Sequence, residues 1–501
     1  MHSEEETYLL FDDASGQKKN VNQIEGKNAE TSETEVEYKL YPQRWLVLFS
    51  FSTLSTINAS MWITWAPLAP ALKSYWSVSA TAINELSEAY MSIYIFFSFP
   101  ALYFLHQTNL RVGLLCAAAL NFIGTGVRYV NIHSYPAVYA GSILCSLAQT
   151  LILAIPPLLS GIWFGAHERA LATSLGVIAN QLGSALSLGA PIFATFYETD
   201  SDGVNAIVER PFLRYMAFNF IISAVPLILI FAFVSVGPET PPSEAAAAVA
   251  KHKERGHIQS LSLDENLDVP ALSTDDPAGE TEVDSLSPTY MESIYLLLNN
   301  KSGVILTMVY GMTVSIFYTA ATFLGQYLEN INGRVDNNQD VALWSLNDSG
   351  YLGLTFVLVG LLGAYASGKY LDNTGQYKGT TIAMQFGSLV FMVVFLLLLQ
   401  YKPYGHFFLF LVIGWLGIFL TAFISVGFEY GAGISYPADE AAVAGVLNVS
   451  AQIWGIILIT VGGRIPVDNL VLGLNILMSV VLFIGLILLT FVTSKIKRPD
   501  H

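Results

Sequence analysis

A stripe of polar and indole side chains lies within the first long apolar stretch of the chain, at residues 44–67. That stretch is long enough to cross a bilayer as a helix. A polar stripe is a poor surface to expose to lipid, because an unpaired amide group is costly there. The stripe therefore predicts either hydrogen bonding between helices or one wall of a substrate cavity. Its members, spaced three and four residues apart on one helix face, are Ser55, Asn58, Trp62 and Trp65.

The composition indicates a polytopic membrane protein. Only 12% of the residues are charged, whereas soluble domains carry roughly a quarter. The net charge of −16 comes mostly from the N-terminal tail and from residues 239–292, which are solvated segments and do not suggest a nucleic-acid binder. Cys116 and Cys145 lie in separate apolar segments and predict neither a disulfide nor a metal site. The polar, acidic first forty residues show no cleavable signal peptide.

Twelve apolar segments divide six and six around one long polar loop, which is the pattern of an internal duplication. This arrangement resembles the major facilitator superfamily and predicts an all-α membrane protein with two six-helix halves. The first six segments lie near residues 44–67, 88–105, 111–130, 139–163, 170–195 and 213–236. The second six lie near residues 303–328, 349–371, 379–400, 406–429, 442–463 and 470–494. The expected divisions are a disordered cytoplasmic tail (1–42), the N-terminal half (43–237), a cytoplasmic central loop (238–298), the C-terminal half (299–495) and a short cytoplasmic tail (496–501).

The distribution of Lys and Arg predicts that both termini face the cytoplasm, here called the inner side. The N-terminal tail contains Glu5, Leu9 and Leu10, which fit an acidic dileucine signal read by sorting adaptors. An incidental leucine pair is the alternative interpretation. The sequence therefore leaves open a plasma membrane or a vacuolar or endolysosomal location, and we expect a monomer embedded in the bilayer.

Several residues at the inner ends of the segments are candidates for gating. Gly368, Asp372 and Lys378 follow the eighth segment and resemble the superfamily's gating signature, in which the Gly allows close helix contact and the Asp holds the gate shut. The matching loop of the first half ends in Arg111 and has His106 and Asn109 where an Asp and a Gly are expected. Further candidates are Glu168 and Arg169 after the fourth segment, with a helix cap or a solvated turn as alternatives, and Glu429 in the tenth.

Four short motifs extend the resemblance to one family. They are Asn180-Gln181-Leu182-Gly183, Phe317-Tyr318, Phe428-Glu429-Tyr430, and the stretch from Asn448 through Gln452 to Gly455. Together with Asn58 to Trp62, they resemble the feline leukaemia virus subgroup C receptor-related transporters, the solute carrier 49 family. The resemblance covers residues 42–236 and 300–495, and leaves out the tails and the central loop.

The resemblance implies a carrier of choline or ethanolamine, and haem export has also been ascribed to the family. It further implies an aromatic cage formed by Trp62 and Tyr318, with Gln181 and Gln452 nearby and Asn58 beside the indole. The alternative for the two rings is ordinary packing. For the three amide side chains, the alternative is hydrogen bonding between helices.

The positions of the ionisable residues favour a facilitator, a carrier that is not coupled to protons. The nearest ionisable side chains lie towards segment ends, so no mid-membrane carboxylate is predicted to carry a proton. A quaternary ammonium can still bind, because each desolvated aromatic face contributes about 2 kcal/mol. We expect alternating access, no cofactor and no enzymatic activity. Haem or another amphipathic metabolite is the alternative cargo, although no His lies mid-segment. A transport-inactive nutrient receptor or sensor is the alternative from another class.

Overall fold

The structure, a computed structural model, describes residues 38–193, 197–199, 205–242, 290–334, 344–401 and 406–493. Over these ranges, twelve helical segments are long and apolar enough to cross a membrane. The proposed sorting signal at Glu5, Leu9 and Leu10 lies outside the described residues, and so does most of the central loop.

The N-terminal half contains six spans and a short hairpin between the fifth and sixth. Its strands pair antiparallel, with Tyr197 opposite Ile207. The elements are α1 (Gln43–Trp62), a 3-10 turn (Ala66–Leu68), α2 (Ala69–Trp76), α3 (Ala80–Gln107), α4 (Leu110–Val130), α5 (Tyr135–Ile152), α6 (Ile155–Trp163), α7 (Ala166–Leu188), α8 (Ala190–Phe193), β1 (Tyr197–Thr199), β2 (Asn205–Ile207) and α9 (Glu209–Phe233).

The C-terminal half repeats the plan after one short helix. That helix, α10, falls within the predicted central loop and had no clear sequence signal. It packs through Leu297, which is wholly buried, and the Ser293 hydroxyl accepts the Asp439 backbone N–H at 2.9 Å. The elements are α10 (Tyr290–Leu298), α11 (Lys301–Arg334), α12 (Leu346–Thr374), α13 (Tyr377–Tyr401), α14 (His406–Ser435), α15 (Glu440–Gly463), a 3-10 turn (Val467–Asn469) and α16 (Leu470–Thr490).

The first span is longer than predicted and is broken. Its sequence pattern ended near residue 67, whereas helical structure continues to Trp76. Pro67 has no N–H to donate to the carbonyl of Ile63, and that carbonyl instead accepts the N–H of Ala66 in a tight turn. The α-helix therefore ends at Trp62, and the span resumes at Ala69.

The two halves meet at their outer ends, on the side opposite the start of α1. The Lys73 ammonium lies 2.6 Å from the Glu329 carboxylate, joining α2 to α11. Gln326 donates to Asn84 at 2.8 Å, also between α11 and the first half. Gly325 permits this approach, since a Cβ there would lie 3.1 Å from the Pro67 carbonyl oxygen. These contacts join the two halves on that side.

Candidate functional site

Trp62 and Tyr318, one from each half, meet at the centre of the bundle. Their ring centroids are 5.2 Å apart and the ring planes are at 82°. Trp62 is the last residue of α1 and is 7% exposed, whereas Tyr318 lies midway along α11 and is half-buried. Two rings at right angles form a corner in which each can present a π face to the same small cation.

Two further spans complete this corner. The Gln452 side chain, from α15, is hydrogen-bonded to the Tyr318 side chain and is itself 7% exposed. One turn further along α15, a Cβ on Gly455 would lie 2.8 Å from the Met91 Sδ and 3.4 Å from Tyr318 Cδ2. The glycine thus allows α3, α11 and α15 to converge on the phenol ring. Met91 was absent from the sequence-based site, because a lone methionine in an apolar span gives no signal.

Gln181 lies on α7, which packs closely against α1. A Cβ on Gly183 would collide with the Thr56 carbonyl oxygen, so the glycine permits this packing. The Gln181 side chain is half-buried, and its Oε1 is buried without a hydrogen-bond partner among the described residues. That oxygen is chemically available to a donor on a ligand.

Asn58 occupies a different environment from the one expected beside the indole. Its side chain is wholly buried, and its Nδ2 donates to Asn121 Oδ1 and to the Cys145 carbonyl, both at 2.9 Å. One turn earlier, the Ser55 hydroxyl accepts a 3.3 Å hydrogen bond from Asn180. The polar stripe of the first span therefore faces other helices, and in this conformation Asn58 ties α1 to α4 and α5 rather than opening onto the corner.

The gating candidates of the first half make contacts within that half. Arg44 Nε lies 3.0 Å from Glu168 Oε2, joining the inner ends of α1 and α7. Arg169 donates to the Gly161 carbonyl at 3.5 Å. Arg111 donates to a carbonyl in the last turn of α9, which is a favourable place for a cation.

Among the gating candidates of the second half, Lys378 binds within its own half. Lys378 donates to the carbonyl oxygens of Thr490 and Val492 at 2.8 and 2.6 Å and so caps α16. The close helix contact expected at Gly368 is missing, because a Cβ there would meet nothing within 4 Å. Glu429 is exposed at the surface, and the Asp372 side chain lies outside the described residues.

A family model, the Major Facilitator Superfamily, matches residues 48–459. Two solved transporters share the fold. A bacterial homologue of the human lysosomal transporter Spinster matches with a TM-score of 0.54 and 14% identity, covering 91% of this chain and 96% of that one. A POT family transporter in complex with 5-aminolevulinic acid matches with a TM-score of 0.57 and 16% identity, covering 88% and 96%.

Three named relatives are similar over most of their length. The choline/ethanolamine transporter flvcr2a of Danio rerio is 31% identical over 466 residues, covering 92% of this chain and 88% of the relative. The choline/ethanolamine transporter FLVCR2 of Homo sapiens is 31% identical over 475 residues, covering 92% and 79%. FLVCR1 of Felis catus is 30% identical over 464 residues, covering 92% and 74%. The chain therefore belongs to the major facilitator superfamily and, within it, to the family of the FLVCR transporters, as a multi-pass membrane protein that moves a solute across the bilayer.

Proposed function

We propose that this protein carries choline, ethanolamine or a closely related small organic cation by alternating access. The observation that carries the proposal is the contact between Trp62 and Tyr318, which places one aromatic ring from each half in a shared corner. Three relatives that share about 30% of its residues are named choline/ethanolamine transporters, which supports the same substrate class.

A quaternary ammonium group has no N–H to donate, so hydrogen bonding cannot hold it. It binds instead to the negative face of aromatic rings, and the gain rises to about 2 kcal/mol or more when water is excluded. The corner at Trp62 and Tyr318 supplies such faces in a buried place. The amide groups of Gln181 and Gln452 can then hydrogen-bond the hydroxyl or ammonium at the other end of the molecule.

The positions of the ion pairs favour a facilitator. Ion pairs among the described residues lie at the ends of the spans: Arg44 with Glu168, Lys73 with Glu329, and His133 with Glu209. Glu88 lies about two turns inside α3, where its carboxylate accepts a 3.4 Å hydrogen bond from Thr460. In our proposal this carboxylate exchanges no proton for the substrate. Net flux of a permanent cation then follows its concentration gradient and the membrane potential.

The contacts between the halves at their outer ends support assigning this conformation to the outer-closed state of an alternating-access cycle. In our proposal, Gly368, Asp372 and Lys378 act at the inner gate in the opposite state. The empty space around Gly368 leaves room for a neighbouring helix to approach when the inner side closes. Glu168, Arg169, Arg111 and Glu429 are proposed to support that gate.

The test is uptake of radiolabelled choline and ethanolamine into proteoliposomes that contain the purified protein. We expect saturable uptake, exchange with unlabelled choline trapped inside, and no dependence on an imposed pH gradient. Uptake no greater than that of protein-free liposomes would contradict the proposal. Binding of choline without flux would favour a sensor, and competition by haem but not by ethanolamine would favour an amphipathic cargo.

A further inference from the structure

A buried arginine lies directly behind the proposed cage. Arg128, near the outer end of α4, is 2% exposed. Its Nη1 donates to the carbonyl oxygen of Met61 at 3.1 Å, and its Cζ lies 4.4 Å from the centre of the Trp65 ring. The side chains of Tyr90 and Cys145 flank the same guanidinium.

This guanidinium has no ion-pair partner among the residues that the structure describes. A buried charge without compensation is costly, so its partners must stabilise it. Those partners are the indole face of Trp65 and the carbonyl of Met61, which belongs to the C-terminal end of α1, where the helix dipole is negative.

We propose that Arg128 is a positioning residue for substrate binding, because it caps the broken end of α1 and thereby fixes the Trp62 indole. Trp62 is both the last residue of α1 and the neighbour of Met61, so the guanidinium is attached to the backbone one residue from the ring. Stacking on Trp65 fixes the other side of the break. In this proposal Arg128 acts through its contacts with Met61 and Trp65 and does not itself bind the substrate.

A second hydrogen bond between α4 and α1, from Asn58 to Asn121, differs from the Arg128 contact because it lies away from the break. Asn121 binds Asn58 within the regular part of α1, about one turn before the break. Intrahelical hydrogen bonds already hold the backbone there. At Ile63 the helix has ended, and the Arg128 guanidinium supplies a hydrogen bond and a positive charge, both of which stabilise a helix C-terminus.

The inference builds on the proposed function, and its test separates the two. Arg128→Gln keeps a donor but removes the charge and the planar stack, whereas Arg128→Lys keeps the charge and a donor. Arg214→Gln, at an exposed position on α9, is the matched control. The first measurement is hydrogen–deuterium exchange over residues 57–68, which needs no substrate.

We expect faster exchange over residues 57–68 in Arg128→Gln, an intermediate rate in Arg128→Lys, and no change in Arg214→Gln. We also expect the choline KM of Arg128→Gln to rise by about tenfold or more, as for other supporting residues of a site, with Vmax changed less. The ethanolamine KM should rise less than the choline KM, since its ammonium can hydrogen-bond. Partial rescue by Lys would support capping.

Unchanged exchange at the break in Arg128→Gln would overturn the inference, whether or not the protein carries choline. Equal losses for both substrates, with Vmax falling and KM constant, would also overturn it, because that pattern indicates a general loss of fold. If Arg128→Gln does not fold, Trp65→Leu removes the stacking partner, together with its ring contact to Trp76, and keeps the guanidinium. It must raise exchange over residues 57–68 and the choline KM, or the inference fails.

Discussion

The Trp62 indole meets the Tyr318 phenol ring edge to face, with the ring centroids 5.2 Å apart. The two residues occupy equivalent places, since α1 is the first span of its half and α11 is the first span of the other. Gln181 and Gln452 are related in the same way, on the fifth span of each half. The proposed site is therefore pseudosymmetric, because each repeat contributes one aromatic ring and one amide side chain.

Removing the Tyr318 ring and removing only its hydroxyl should have different effects. Tyr318→Phe keeps the π face but leaves Gln452 without its partner. We expect a rise in the choline KM of about threefold or less for Phe. Tyr318→Ala loses the face and should raise the KM by more than tenfold, because a desolvated cation–π contact contributes about 2 kcal/mol. Equal KM values for the two variants in proteoliposome uptake would argue against the ring as the binding element.

Asn58→Ala should lower stability rather than affinity. The change removes two hydrogen bonds between buried groups and leaves the Asn121 amide unpaired. Such a loss costs about 1–3 kcal/mol. We expect a lower melting temperature in detergent with the choline KM unchanged among the folded molecules. A large rise in KM without loss of thermal stability would return Asn58 to the substrate site, where the family resemblance placed it.

The ion pair between Lys73 and Glu329 should bias the protein towards the outer-closed state. The pair is exposed, so it contributes at most about 1 kcal/mol, roughly a fivefold change in a two-state equilibrium. Lys73→Glu should expose the outer passage, and the exchange Lys73→Glu with Glu329→Lys should restore closure. The readout is the labelling rate of a cysteine placed at Asn84 by a membrane-impermeant maleimide. Equal rates in all three proteins would show that the pair does not stabilise closure.

Gly455→Ala should impair uptake through Met91 and Tyr318. The added Cβ would lie 2.8 Å from the Met91 Sδ, closer than real contacts allow. We expect a lower Vmax, because the Met91 side chain must shift from its place beside the Tyr318 ring. Met91→Ala in the same protein should recover much of the activity by removing the clash. Failure of the double variant to recover, with normal expression, would show that the loss arises elsewhere.

Periodicity and composition predicted the fold well, because twelve apolar segments can only satisfy their backbones as helices in a bilayer. The break in the first span was visible only as Pro67, and sequence alone does not say whether a proline kinks a helix or ends it. In the sequence, Arg128 stands near the end of the third apolar segment. Its burial depends on α1 and Trp65 folding over it, which no local pattern reveals.

Family motifs singled out Trp62, Tyr318 and Gln452, and the structure brings these three side chains together. Asn58 shared the correct helix face, but that face is buried against α4 and α5, and periodicity does not distinguish a cavity from a neighbouring helix. Met91 was missed because its place beside Tyr318 depends on the space that Gly455 leaves on another span. Lys378 was expected at a gate, yet here its amine reaches the end of α16, a tertiary contact between distant parts of the sequence.

The most direct test of the cage is choline uptake by Trp62→Ala and Trp62→Phe. The matched control is Trp415→Ala, which removes a tryptophan that is 42% exposed and stacks on Phe391 and Phe419 away from the site. We expect Trp62→Ala to reduce choline uptake by at least about tenfold at equal expression. Trp62→Phe should keep part of the activity, and Trp415→Ala should keep all of it. Wild-type uptake by Trp62→Ala would contradict the account.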